Sequence, residues 1–473
     1  MKTPFAVILA SIGAVALLLP GCAVGPNYKR PAINSPANFR NAPADPSTNT
    51  LADVQWWELY KDETLNSLIR TALTNNYDLR IAIARVEQAR AIAGQAKSQF
   101  VPRVGYEGAT SRGRNELLGN ASPPGPTGAR PGDAAYAAPN ASWEIDLWGR
   151  IRRLNESARA SFLASEEGRR GVRLSLVAEV AQAYFELLEL ERRLHIANRT
   201  TDSFKESARI FSQRFEAGGA SKLDTARAEA ALAPTAANVP DIERQIVLKE
   251  NQISVLLGQN PGTVAHSAKL DEQIMPPEVP AGLPSALLER RPDIRQAEQS
   301  LRSANAQVGV SVAEFFPKIG LTTFFGKVSG ELSAFTAGTA NAWSAASSLS
   351  GPIFQGGALV GQYREAKANR EEARLRYEQT ALNAFQEVAN SLVTREKLEA
   401  IRTEQARAVT AYEQAVQLSL QRYTDGKAAY FEVLEAQQQL FPAENSLART
   451  ELNQLLVIVQ LYKALGGGWE EAK

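Results

Sequence analysis

Asn76-Tyr77-Asp78-Leu79-Arg80, running on to Phe100, Pro102 and Gly105, decides the fold, because the chain carries it twice. Arg291-Pro292-Asp293-Ile294-Arg295 opens the second copy, and the two align without a gap. Asp78 falls on Asp293, Arg80 on Arg295, Ala89 on Ala304, Ala91 on Ala306, Gly94 on Gly309, Phe100 on Phe315, Pro102 on Pro317 and Gly105 on Gly320. Two later correspondences keep the same order. Gln213-Arg214-Phe215-Glu216-Ala217-Gly218 matches Gln421-Arg422-Tyr423-Thr424-Asp425-Gly426, and Leu256-Leu257-Gly258 matches Ala464-Leu465-Gly466. Ordered agreement of this kind describes an internal duplication. The division that follows is an export signal at 1–21, an extended segment at 22–60, a first repeat at 61–260, a linker at 261–284, a second repeat at 285–468 and a tail at 469–473.

Each half then follows one plan. A helix is predicted over 62–98 and again over 285–313, stopped by Pro102 and Pro317, which cannot donate the next helical hydrogen bond. Two extended runs follow, the first pair separated by a Gly-, Pro- and Asn-rich loop over 113–132. Alternation puts Trp143, Ile145 and Leu147 on one face of a strand and Ser142, Glu144 and Asp146 on the other. Ile319, Leu321, Thr323 and Phe325 make a similar face, as do Trp343, Ala345, Ser347 and Leu349. Gly149 to Ala217 and Gly357 to Tyr423 are free of proline and read as single helices; at 1.5 Å per residue each reaches roughly 100 Å. In the second, a heptad stripe runs through Leu398, Gln405, Tyr412 and Ser419, with Ile401, Ala408 and Ala415 expected beside it. Glycines turn the chain at Gly218-Gly219 and Gly426, and return helices over 221–257 and 428–465 follow, with Pro234, Pro240 and Pro442 expected to interrupt them.

The N-terminus carries Lys2 and an apolar run from Phe5 to Leu19, too short for an untilted spanning helix of about 20 residues and suited to a secretory signal. It ends at Leu19-Pro20-Gly21-Cys22, which resembles a bacterial lipobox; Cys22 is the only cysteine and the expected site of lipidation. That single cysteine excludes an intramolecular disulfide. The balance of 52 Lys+Arg against 51 Asp+Glu argues against a nucleic-acid partner. No GxxxxGK[ST] phosphate loop occurs, and neither His195 nor His266 has a motif-placed nucleophile or acid, so no catalysis, cofactor or metal is expected.

An exported chain with four amphipathic strands has few choices. In lipid, strands must close into a barrel, and small barrels need about eight strands, so several copies must contribute. At this point the sequence resembles the TolC-like outer-membrane factors of the NodT-type lipoprotein group over essentially its whole length. The resemblance rests on Cys22-Ala-Val-Gly-Pro-Asn-Tyr-Lys-Arg-Pro31, Gln55-Trp-Trp-Glu-Leu-Tyr60, Ser142-Trp-Glu-Ile-Asp-Leu-Trp-Gly-Arg150, Arg290-Arg-Pro-Asp-Ile-Arg295 and Gln421-Arg-Tyr…Gly426. It implies an α+β membrane protein made mostly of long helices. Four strands per chain would join a shared twelve-stranded trimeric barrel, with an α-helical barrel below it. It also implies docking to a periplasmic adaptor and an inner-membrane transporter, in a lipid-anchored efflux duct for drugs or other small toxic compounds.

The resemblance further places a periplasmic gate just after the second-half turn. Phe431 and Glu435 lie four apart, so they share a helix face and in a trimer would form an apolar and an acidic ring. Like charges at close range would favour an open mouth. Tyr423 and the first-half residues Asp224 and Arg227 are further gate candidates. Relatives resemble one another in carrying Asp and Arg where this chain has Glu435 and Gln438, so a salt-linked gate is weakened here. Gly218, Gly219, Ser221, Asp425, Gly426 and Lys427 would form the tip that meets the adaptor. A structural coiled-coil envelope lipoprotein would keep the helices without needing the strands; a duct for metals or secreted proteins would share the whole architecture.

Overall fold

The computed structural model describes residues 23–40, 61–113, 132–265, 269–273, 284–329, 335–336 and 341–467. The export signal, Cys22, the Gln55–Tyr60 motif, His266 and residues 114–131 of the first strand loop lie outside the described residues. The first half runs α1 (Glu63–Asn75), α2 (Tyr77–Ser98), β1 (Arg103–Gly113), β2 (Gly132–Ile145), α3 (Arg150–Glu216) and α4 (Lys222–Leu256). The second runs α5 (Leu287–Arg290), α6 (Pro292–Ala313), β3 (Lys318–Ser329), β4 (Asn341–Ser350), α7 (Ala358–Thr424) and α8 (Tyr430–Ala464). The residues form two compact units, and each draws on both halves.

The duplication reaches down to single hydrogen bonds. The opening helix, expected unbroken in each half, is broken in both at the same repeat position, Asn76 and Arg291. Both residues leave the helical region, with ψ of 132° and 123°. The reason is a competing polar tie: Asn76 Nδ2 donates to the Leu256 carbonyl, and Arg291 Nη1 donates to the Ala464 carbonyl. Leu256 and Ala464 are themselves repeat equivalents, each in the last turn of a return helix, where carbonyls lack helical partners.

The four strands form one antiparallel sheet in the order β1-β2-β3-β4. Arg103 stands opposite Ser142 in the first hairpin, and Lys318 opposite Ser350 in the second. The strands are longer than short runs, up to 14 residues, and β2 stops at Ile145, so Leu147 lies beyond the strand on which alternation had placed it. Asp146 is what ends it. Its carboxylate accepts the amides of Ile151 and Arg152 and so starts α3.

A strap from Ala23 to Arg30 is bound to the same unit. Arg153, almost fully buried, donates to the Val24 and Gly25 carbonyls and to Asn27 Oδ1. Asn305 donates to the Pro26 carbonyl, and Tyr28 and Arg30 both reach Glu298. Gly25, at φ +88°, lies so close to Gly309 that a Cβ would sit 2.5 Å from its Cα. These contacts give the stretch from Val24 to Tyr28, and Arg30, a structural role within the Cys22–Pro31 motif.

The other unit is helical. Val180, Tyr184, Phe185, Leu187 and Leu188 of α3 are buried in it, and Tyr184 donates to Asp62, which also caps α1. Helices α3 and α7 are 67 residues each, a contour of roughly 100 Å. The stripe through Leu398, Gln405, Tyr412 and Ser419 is covered as expected, but its companions are Arg402, Val409, Val416 and Tyr423. Ile401 and Ala415 are exposed and Ala408 only half-buried. The pattern misleads because polar residues hold seam positions here. Arg402 lies 3.7 Å from Glu451 across the seam, so it occupies a place an apolar residue was expected to take. Pro234 and Pro240 stay inside α4, and Pro442 inside α8, without interrupting either helix. A proline removes one helical hydrogen bond, and packing along a 35-residue helix outweighs that local loss.

Candidate functional site

Two surfaces carry functional character: the sheet, and the end where both long helices turn back. Strand register shows that the three apolar faces read separately from the sequence are one face. Ile145 is opposite Ile319, which is opposite Leu349; Trp143 is opposite Leu321; Phe325 is opposite Trp343. Val104 and Tyr106 of β1 join it opposite Ala141 and Pro139. The opposite face carries Arg103, Glu107, Asn140, Ser142, Glu144, Lys318, Thr322, Ser344 and Ser348. A sheet apolar on one side and charged on the other fits lipid outside and water inside. Its apolar side is bare in the single chain: Tyr106 is 89% exposed and Trp343 68%. Among the described residues, both edges, β1 and β4, are unpaired.

At the other surface, both turns are built identically. Gly218 and Gly426 take φ of +75° and +70°, which a glycine adopts without strain. Gly219 N–H donates to the Arg214 carbonyl and Gly218 N–H to that of Phe215; Lys427 and Gly426 repeat this to Arg422 and Tyr423. This is the double bond of a Schellman stop, with glycine at the left-handed position. Ser221 and Asp224 then cap α4 reciprocally. Hydrogen bonds from the Ser221 hydroxyl and amide hold the Asp224 carboxyl below its usual range. Asp224, also a gate candidate, thus caps a helix. Lys427 pairs with Asp425 at 3.1 Å on the exposed turn.

Behind the turns lies an apolar cluster of Phe204, Phe211, Ala228, Ala231, Tyr430, Val433 and Leu434. Tyr430 stands edge-on to both Phe211 and Tyr423, at 4.7 and 4.9 Å, and hydrogen-bonds Ser207. Burial pushes its phenol pKa up. Tyr423 packs against this cluster, with Arg214 over its ring at 5.0 Å; its hydroxyl has no hydrogen-bond partner among the described residues. Phe431 points the other way, 52% exposed, and Glu435 is exposed one turn further along α8. Arg227 of α4 lies over the Phe431 ring, 5.3 Å from its centroid. Phe431, Glu435 and Arg227 are therefore brought together on one surface, while Tyr423 faces the packed interior. Sequence reasoning missed Tyr430 and Ser207, whose only signal was an aromatic one place before Phe431.

A sheet with lipid-type and water-type faces and two open edges, continued by helices of this length, is that of an outer-membrane channel subunit. The profile of the outer membrane efflux protein family matches residues 68–259 and 283–467. The toluene efflux pump outer membrane protein TtgC of Pseudomonas putida is 34% identical over 468 residues, covering 98% of this chain and 96% of that protein. The cation efflux system protein CusC of Escherichia coli is 31% identical over 469 residues, covering 97% and 98%. Among solved structures, the outer-membrane channel OprN superposes with a TM-score of 0.87 at 34% identity, covering 95% of this chain and all of that one. The chain belongs to the outer membrane efflux protein family, and its architecture is that family's channel fold.

Proposed function

We propose that this protein is, as a homotrimer, the passive outer-membrane conduit of a tripartite efflux system of the RND type. A periplasmic adaptor and an inner-membrane transporter would deliver drugs or other small toxic compounds to it. The observation that carries this is the amphipathic sheet with two unpaired edges. Four strands cannot enclose a pore, whereas three copies supply twelve, within the range of membrane barrels. Energy for transport comes from the partner, since a conduit only lowers the barrier to exit. Relatives named for toluene and for cation efflux match this chain about equally well, as expected of a duct whose cargo is chosen upstream. The structural-lipoprotein alternative would have no use for the apolar sheet face.

Within that conduit, Phe431 and Glu435 form the constriction, with Arg227 beside the ring, and Gly218, Gly219, Ser221, Asp425, Gly426 and Lys427 form the tip that meets the adaptor. Cys22 carries the lipid that holds the N-terminus at the membrane. The test is reconstitution of the purified protein in planar bilayers, paired with complementation of a strain lacking its own efflux channel. Defined ionic conductance with restored resistance is expected; neither conductance nor complementation would remove the conduit reading.

A further inference from the structure

The end of α4 remote from the turns carries an open groove of about 590 Å³, within the range of small-ligand sites. Helix α4 is 35 residues long, so the groove lies about 50 Å along it from the turns. One wall is a single face of α1, with Glu63, Thr64, Ser67 and Thr71. The other is the chain that leaves α4, with Ser254, Gln259 and Thr263. Leu68, Leu257 and Val264 are the apolar part of the lining, and the last two are buried.

Both walls are braced from behind. Asn76 donates to the Leu256 carbonyl, and a Cβ on Gly258 would sit 2.5 Å from the Asn75 carbonyl oxygen. The amide of Gly262 donates to the Ser254 hydroxyl at 3.3 Å, and that of Val264 to the Glu250 carboxylate at 3.0 Å. The duplication shows that the space is not an automatic product of the fold. Matching Leu256 to Ala464 puts Ser254 on Tyr462 and Gln259 on Gly467. In the second half the Tyr462 ring is 3% exposed and lies against Gly467, whose Cβ would come within 2.6 Å of it. In the first half a serine replaces that ring, and its volume is left to the groove.

The chemistry of the lining narrows the ligand. Among the described residues, Glu63 is the only charged group on it, and no cation faces it. The side chains of Thr64, Ser67, Gln259 and Thr263 have no hydrogen-bond partner among the described residues. Phosphates and acidic peptides would find no counter-charge here, whereas a neutral molecule rich in hydroxyls and amides would satisfy these donors and acceptors. We propose that the groove binds a neutral saccharide chain bearing N-acetyl groups. The acetyl methyl packs on Leu68, Leu257 and Val264, and the ring hydroxyls and acetyl amide bond Thr64, Ser67, Gln259 and Thr263. For a channel that extends through the periplasm, the polymer of that chemistry is the glycan of the cell wall. This site is separate from the constriction and goes beyond the conduit reading.

The test is saturation-transfer NMR on the purified full-length protein with the β-1,4-linked tetramer of N-acetylglucosamine. Transfer to the acetyl methyl is expected, and it should be lost in Ser67→Arg, which fills the groove from an exposed position. Thr74→Arg, exposed and outside the lining, should keep it. No transfer in the wild type, transfer that survives Ser67→Arg, or an equal response to cellotetraose, which lacks the acetyl groups, overturns the proposal. Cosedimentation with purified cell-wall sacculi distinguishes the source: the wild type should sediment and Ser67→Arg should not. Tetramer binding without cosedimentation overturns the wall assignment. Planar-bilayer conductance of the same samples reports folding and the conduit separately, and it should be unchanged. If Ser67→Arg does not fold, Thr64→Val with Thr263→Val decides; each lost hydrogen bond should weaken tetramer binding about fivefold, and unaltered affinity overturns the site.

Discussion

Arg227 and Phe431 show how a proposed gate is set by single side chains. A guanidinium over a half-exposed ring is worth roughly 0.5–1 kcal/mol, enough to bias a rotamer without locking it. Removing Arg227 should therefore raise the closed-state leak modestly, while Phe431→Ala or Glu435→Ala should change single-channel conductance directly. Planar-bilayer recordings check this, and unchanged conductance in both would move the constriction elsewhere. Arg153 makes a different prediction. Almost fully buried itself, it holds the Val24 and Gly25 carbonyls and Asn27, so Arg153→Ala should cost about 1–3 kcal/mol and lower the melting temperature of the purified protein. Phe431 and Glu435 were legible because a four-residue spacing fixes a shared helix face. The Arg227 contact was not, because it joins two helices whose approach no local pattern encodes. The capping bonds of Asp224 were hidden for a related reason: a carboxylate shortly after a serine reads equally well as a cap and as a pore charge.

Among elements, α3 and α7 have seams that mix apolar and ionic layers. Arg199 pairs with Glu444, Arg192 with Glu451 at 2.7 Å, and Gln454 donates to Glu399. Glu189 of α3 is buried, and burial pushes its carboxyl pKa up despite Arg193 and Arg449 nearby. A carboxyl with a raised folded-state pKa binds its proton more tightly in the folded protein. Its contribution to stability is therefore present at low pH and lost as pH rises from the ordinary carboxylate range through the raised value. Glu189→Gln should flatten that fall in melting temperature, measured by circular dichroism from mildly acidic to neutral pH; an unchanged slope would reject the assignment. Helix lengths and turn positions were readable to within a few residues, because glycine and proline mark them. The heptad companions were not, since Arg402 holds a seam position that an apolar residue was expected to fill.

At the scale of the molecule, the duplication was the most legible feature, and it carried the fold class with it. What it left hidden was that the compact units cut across the halves, because long helices distribute each repeat between both. The lipid anchor is tested at this scale: Cys22→Ser should abolish incorporation of labelled fatty acid, and persistent labelling would sink it. The central seam of the sheet has one more consequence. Ile145 pairs with Ile319, yet the whole of α3 and α4 is threaded between them. Closing so long a loop adds only a logarithmic entropy cost, but non-local pairing slows folding. The first hairpin is therefore synthesised well before β3, the strand that covers its second edge. A chain truncated after α4 would keep that hairpin and lack the strand that completes its pairing.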